Sequence, residues 1–121
     1  MGLDQFAYRV TEDGERTEIA YWRKHNRLQG WMENLWYETK KNTEEFNCVD
    51  MELNWEDVMQ LATDIEKLNL PDTRGFFYGS DSYALSLDNT TYEDLPTDLK
   101  FIDACKIALD CGDKVIYTCW Y

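Results

Sequence analysis

Residues 3–10 alternate in character, with Phe6, Tyr8 and Val10 on one side, which predicts a strand. Asp13-Gly14, inside 11–15, is a strong turn dipeptide. The segment 19–22 then returns as a second strand and closes a hairpin. Asn26 is placed to cap a helix starting at Arg27. Leu28, Met32, Leu35 and Trp36 follow the spacing of one apolar helix face, and Lys40 and Lys41 stand at its C-terminal end, where the dipole favours cations. A third strand is predicted over 46–53, where Val49, Met51 and Leu53 alternate with Cys48, Asp50 and Glu52. Asn54 followed by Asp57 resembles a capping box. Val58, Leu61, Ala62, Ile65 and Leu68 mark a second helix, which Pro71 stops. The apolar run 75–79, bracketed by glycines, reads as a buried strand. The polar stretch 80–95 has no period and reads as a long loop, a kind of segment that is often functional. Pro96 and Thr97 open a third helix with Leu99, Ile102, Cys105, Lys106 and Leu109 as its inner stripe. Gly112 caps it, and 114–121 alternates as a last strand.

The order is β-β-α-β-α-β-α-β. It predicts a single α+β domain over 1–121, with a mainly antiparallel sheet of about five short strands and about three packed helices. A chain of 121 residues with 44% apolar and 15% aromatic content can bury one core. Charge narrows the function. Against 12 Lys and Arg stand 24 Asp and Glu, for a net −12. Such a surface repels phosphate backbones and anionic lipid, which excludes general nucleic-acid and membrane-surface binding.

No run approaches the roughly 18 apolar residues of a membrane span. The opening MGLDQFAYRV lacks the basic start and apolar middle of a signal peptide, so the expected location is the cytoplasm. Cys48, Cys105, Cys111 and Cys119 form no C-x-x-C pair and there is one histidine, so zinc-ligand spacing is absent. No metal or cofactor is expected, and the cysteines are expected to be free thiols.

The most unusual segment is Tyr21-Trp22-Arg23-Lys24-His25-Asn26-Arg27, a basic island at a strand-to-helix junction in an acidic chain. Cations at a helix N-terminus oppose the dipole, and they make sense where an anion binds free backbone N–H groups there. On this reading Arg23, Lys24 and Arg74 hold the anion, His25 and Asn26 donate hydrogen bonds, and Trp22 and Trp31 stack on a planar ligand. The competing reading pairs these cations with the protein's own carboxylates and puts the tryptophans in the core. His25 as a catalytic base needs a nucleophile, and Cys48 is the best candidate in the sequence. The segment from Arg74 to Gly79 lacks the spacing of a phosphate-binding loop and reads as a tightly packed strand. Acidic clusters at Glu12–Glu18, Asp50–Asp57 and Asp88–Asp98 are solvated faces, or they imitate a nucleic-acid backbone toward a basic partner.

Several blocks also resemble a known family: M-G-L-D-Q-F-A-Y, I-A-Y-W-R-K-H-N-R-L-Q-G-W-M-E-N-L-W, F-N-C-V-D-M-E-L, L-P-D-T-R-G-F-F-Y-G and F-I-D-A-C-K-I-A-L-D-C-G-D-K-V-I-Y-T-C-W-Y. Together they are similar to small proteins of tailed bacteriophages and prophages, some labelled phosphoglycerate kinases. This chain is far too short for that two-domain kinase. The resemblance implies a phage source and an infected bacterial cytoplasm, and it carries no mechanism. Three functions follow as expectations. The first is a non-enzymatic accessory protein binding a small anionic ligand or a host protein. The second is an acidic inhibitor of a host enzyme or of a nucleic-acid-binding protein. The third is a small hydrolase or transferase using His25, which a Cys48 or a carboxylate within its hydrogen-bond reach would favour.

Overall fold

The computed structural model describes residues 2–73, 83 and 92–121. Among them, four strands form one antiparallel sheet: β1 (Asp4–Val10), β2 (Arg16–Arg23), β3 (Asp50–Leu53) and β4 (Lys114–Trp120). Three helices accompany it: α1 (Asn26–Asn34), α2 (Trp55–Glu66) and α3 (Leu95–Asp110). The strand order is β2-β1-β4-β3, so the first and last strands of the chain lie side by side at the centre. The class is α+β, as expected. The expected strand 75–79, Arg74 and most of the loop 80–95 lie outside the described residues. No helix among the described residues is long and apolar enough to cross a membrane.

The β1–β2 hairpin turns at Gly14, whose φ of +88° suits a residue without a Cβ. Strand β2 begins earlier than expected because Arg16, Thr17 and Glu18 pair with β1 through their backbone, which a polar sequence does not advertise. Strand β3 is shorter than expected. Cys48 takes a φ of +60° and donates its N–H to the Cys119 carbonyl at 2.7 Å, so the chain bends there and pairs regularly only from Asp50. Its alternation holds, with Met51 and Leu53 buried.

Asn26 is the first residue of α1 rather than its cap; His25 holds the cap position and makes no side-chain capping bond. The turn into α1 passes through Lys24 at φ +58°, a left-handed conformation that costs a non-glycine residue on the order of 1 kcal/mol. Leu28, Met32, Leu35 and Trp36 are all buried as expected, the last two on a π-helical turn, Leu35–Thr39, that continues α1. Gly30 lies under Thr73: a Cβ there would meet Thr73 Cβ at 2.8 Å, so only glycine lets the segment after α2 cross α1 this closely.

The capping box of α2 is present in both directions. Asp57 N donates to Asn54 Oδ1 at 2.9 Å, and Asn54 N donates to Asp57 Oδ2 at 3.0 Å. The helix stops at Glu66, before Pro71, because Leu68 turns to φ +53°. In α3 the inner stripe is Asp98, Phe101, Ile102, Cys105 and Ala108, while Leu99 is exposed. Ile102 and Cys105 are buried as expected and Leu109 packs against the core; the stripe differs at its start, where a carboxylate, Asp98, faces the core in place of Leu99.

Leu3, Ala7, Trp22, Val115 and Tyr117 of the sheet meet Leu28, Met32, Leu61, Ile65 and Phe101 of the helices in one core. The helices thus cover one face of the sheet, the face that carries Gln5 of β1 and Cys119 of β4.

Candidate functional site

The basic island divides at the junction of β2 and α1. Trp22 points inward, its ring edge-on to Phe101 at 5.0 Å, and is 2% exposed. His25 is fully buried. Arg23 and Lys24 are exposed and form no ion pair among the described residues. Their side chains pass Gly2, where an added Cβ would lie 3.0 Å from Lys24 Cε and 3.6 Å from an Arg23 guanidinium nitrogen. Asn26 is buried, Trp31 is partly buried further along α1, and Arg74 lies outside the described residues. The segment therefore does not present its donors together to solvent.

Trp22 and His25 share an internal anion instead. The Asp98 carboxylate, with no exposed surface, accepts the Trp22 indole N–H at 2.8 Å on Oδ1. On Oδ2 it accepts His25 Nε2–H at 2.8 Å and the Tyr92 hydroxyl. Three donors replace the water that a carboxylate loses on burial. The carboxylate fixes the imidazole proton on Nε2, since it can only accept. Burial and then the Asp98 charge push the Tyr92 phenol far above its ordinary value, so it donates throughout the physiological range.

The imidazole's other nitrogen, Nδ1, is buried with no hydrogen-bond partner among the described residues, and an Asp94 carboxylate oxygen lies 3.9 Å from it. Burial raises the Asp94 carboxyl above the ordinary carboxylate range and the Asp98 charge adds to this, while His25 pulls the other way.

A second set of polar groups continues the cluster. Gln5 Oε1 accepts the His25 backbone N–H at 2.9 Å, and Gln5 Nε2 donates to the His25 carbonyl and to the Tyr117 hydroxyl, each at 3.0 Å. Tyr117 donates to Gln29 Oε1 at 2.6 Å, and Gln29 Nε2 reaches Cys119 Sγ at 3.2 Å. Gln5 clamps both backbone groups of the residue where strand becomes helix. Burial pushes the Cys119 thiol up to about 12, so it stays protonated.

A carboxylate thus lies within hydrogen-bond reach of His25, the geometric condition set for a hydrolase. The pair is nevertheless closed: both side chains have no exposed surface, and the free nitrogen faces a carboxylate rather than a nucleophile. Cys48 sits elsewhere, exposed, with Sγ 3.6 Å from Asn47 Oδ1. None of the four cysteines is bridged.

Comparison with models of known families, with curated proteins and with solved structures finds no match to this chain. The arrangement of its own side chains carries the functional reading.

A cleft of about 570 Å³ opens between α1 with its π-helical turn on one side and α2 with the segment that follows it on the other. That volume suits a small ligand or a few side chains of a partner. Trp31, Leu35 and Pro71 supply apolar lining, and Glu38, Glu56, Asp57 and Asp64 supply carboxylates. Trp31 donates its indole N–H to Asp64 Oδ2 at 2.8 Å, which orients the ring. Lys40 pairs with Asp57 at 3.0 Å, which leaves Glu38, Glu56 and Asp64 without a basic partner among the described residues. Among the described residues, no group of three or more His, Cys, Asp or Glu side chains is arranged to hold a metal ion.

Sequence reasoning named Trp31 but placed it with the anion site. It missed the cleft because α1 and α2 meet there through tertiary packing. It also missed Gln5, Gln29, Tyr92 and Tyr117. One signal was available for Gln5: it stands in register with Leu3 and Ala7 on β1, a polar residue on an inward face.

Proposed function

We propose that this protein is a non-enzymatic binding protein whose working site is the acidic cleft between α1 and α2, and that it takes a basic segment of a partner protein. The observation that carries this is a cleft lined by Trp31 with three carboxylates that lack a basic partner among the described residues. An Arg or Lys side chain suits both parts. Its charge meets Glu38, Glu56 and Asp64, and its cationic head stacks on an indole face. The net charge of −12 speeds the approach of a basic partner and rejects acidic ones. Read with the resemblance to bacteriophage proteins, the partner is a protein of the bacterial host, and inhibition by occupying its basic surface is the expected effect.

The test is calorimetric titration with a short arginine-rich peptide and with a glutamate-rich peptide of equal length. The arginine peptide should bind and the glutamate peptide should not. Glu38→Gln/Glu56→Gln should weaken binding about fivefold, since each exposed ion pair contributes roughly 0.2–1 kcal/mol. Equal binding by the double variant would remove the cleft from the account.

A second reading, an anion site, keeps one observation in its favour: Arg23 and Lys24 stand exposed side by side. Phosphate or sulfate should then stabilise the wild type more than Arg23→Ala/Lys24→Ala under identical salt. Equal gains would leave these cations as surface charge.

A further inference from the structure

We propose that the outward face of the sheet is a contact surface for a second copy of this chain. The two faces of the sheet differ in a way the sequence pattern does not lead one to expect. Strand β1 turns Gln5 and Ala7 inward, in line with Leu3 just before it, and it turns its larger apolar side chains, Phe6 and Tyr8, outward. Tyr21 stands beside Phe6 on β2, and Ile116 and Trp120 lie on the same side of β4. The Phe6 ring lies 5.1 Å from Tyr21 and 6.4 Å from Tyr8. Tyr21 and Trp120 are 45% and 53% exposed. The buried side chains of the described helices belong to the core on the other face. A contiguous aromatic patch on a sheet face that none of the described helices covers marks an interaction surface.

Charge selects the occupant. At a net −12, two copies repel one another across most of their surface. The outward face is different: Arg16, Arg23 and Lys114 offset Asp4, Glu18, Asp50 and Glu52 almost completely. Arg16 pairs with Asp50 at 2.7 Å and Lys114 with Glu52 at 3.9 Å. Tyr21 donates to Asp4 at 2.8 Å. A strongly basic partner gains little on such a face, whereas an identical acidic chain can approach through it.

Shape agrees with this choice. Arg16 starts on one edge strand, lies 5.7 Å from the centre of the Tyr8 ring, and ends on Asp50 of the opposite edge strand. Opposite corners of the sheet therefore curl toward each other, as strong twist requires. Two identical saddles fit when crossed near a right angle, and a two-fold axis then sets each aromatic patch on its counterpart.

Sedimentation equilibrium of the whole chain between about 10 μM and 1 mM, a range in which small interfaces associate, tests this. The apparent mass should climb from 14.4 kDa toward twice that value. Added sodium chloride should strengthen association by screening the residual repulsion. Tyr21→Glu/Trp120→Glu should weaken it at least about tenfold while the circular dichroism spectrum is retained. If that variant does not fold, Trp120→Lys, at the exposed end of β4, takes its place and should show the same loss. A wild type that stays at 14.4 kDa throughout, association that salt weakens, or folded variants that associate like wild type would each overturn the proposal.

Discussion

Asp98 and Asp64 each accept a tryptophan indole N–H at 2.8 Å, from Trp22 and from Trp31. Their surroundings differ in every other respect. Asp98 has no exposed surface and takes two further donors, from His25 and Tyr92. Asp64 is partly exposed, faces a cleft, and has Glu38 and Glu56 for company. An anion whose donors are all internal holds a fold together, and it has nothing left for a ligand. Asp64 also accepts the Gln60 side-chain amide at 3.3 Å, yet among like charges at an open cleft its charge stays unbalanced until a cation arrives. The same aspartate–tryptophan pair is thus sealed inside the fold in one place and open to a cleft in the other, and on the proposed function only the open one recognises a partner.

The comparison breaks most visibly in stability. Asp98→Ala should destabilise the fold by roughly 3–5 kcal/mol, the usual effect of removing one partner from a buried charged cluster. Asp64→Asn should change stability by less than about 1 kcal/mol. Urea unfolding of both variants checks this, and comparable losses would erase the distinction. Tyr117→Phe should cost an intermediate amount, about 1–3 kcal/mol, because Gln5 and Gln29 each lose a buried partner.

Thiol chemistry sharpens the same contrast. Burial holds the Cys105 and Cys119 thiols up to about 12, whereas Cys48 and Cys111 are exposed. A thiol reagent at pH near 8 should modify two cysteines quickly in the native protein and the other two only on unfolding. Rapid modification of all four would mean that the polar network around Cys119 opens readily.

The smallest effect concerns Asp94. Its carboxyl keeps its proton to higher pH in the fold than in the unfolded chain. Its contribution to stability is therefore complete below the ordinary carboxylate range and is lost as pH rises through its folded value. Asp94→Asn should remove that decline and leave the protein slightly more stable at neutral pH. Thermal melts from acid to neutral pH give the comparison, and a variant less stable at neutral pH would contradict the sign.

Much of the fold was legible because periodicity reports burial. The apolar stripe of α1, the alternation of β4 and the Asn54–Asp57 cap stand in the structure where the sequence put them. The start of the α3 stripe was not legible, because Asp98 rather than Leu99 faces inward, for the sake of Tyr92 and of Trp22 and His25, the last two distant in sequence. The alternation of β1 put Phe6, Tyr8 and Val10 on one side without saying which side faces the core; small Ala7 and polar Gln5 do. The basic island stands out by its composition, and two of its three buried residues, Trp22 and His25, meet the protein's own carboxylate. The cleft had no local signature, since each of its carboxylates looks like ordinary surface charge until α1 and α2 meet.

The most direct test follows the two indoles themselves. In protein labelled with nitrogen-15, the Trp22 and Trp31 indole N–H groups give separate signals, assigned by Trp22→Phe and Trp31→Phe. Titration with a short arginine-rich peptide should shift the Trp31 signal in a saturable way, since a cation arriving at Asp64 competes for the carboxylate that this indole holds. The Trp22 signal should stay where it is, because Asp98 is closed to solvent. Movement of Trp22 with Trp31 unchanged, or no movement of either at saturating peptide, would contradict the assignment of the cleft as the working site.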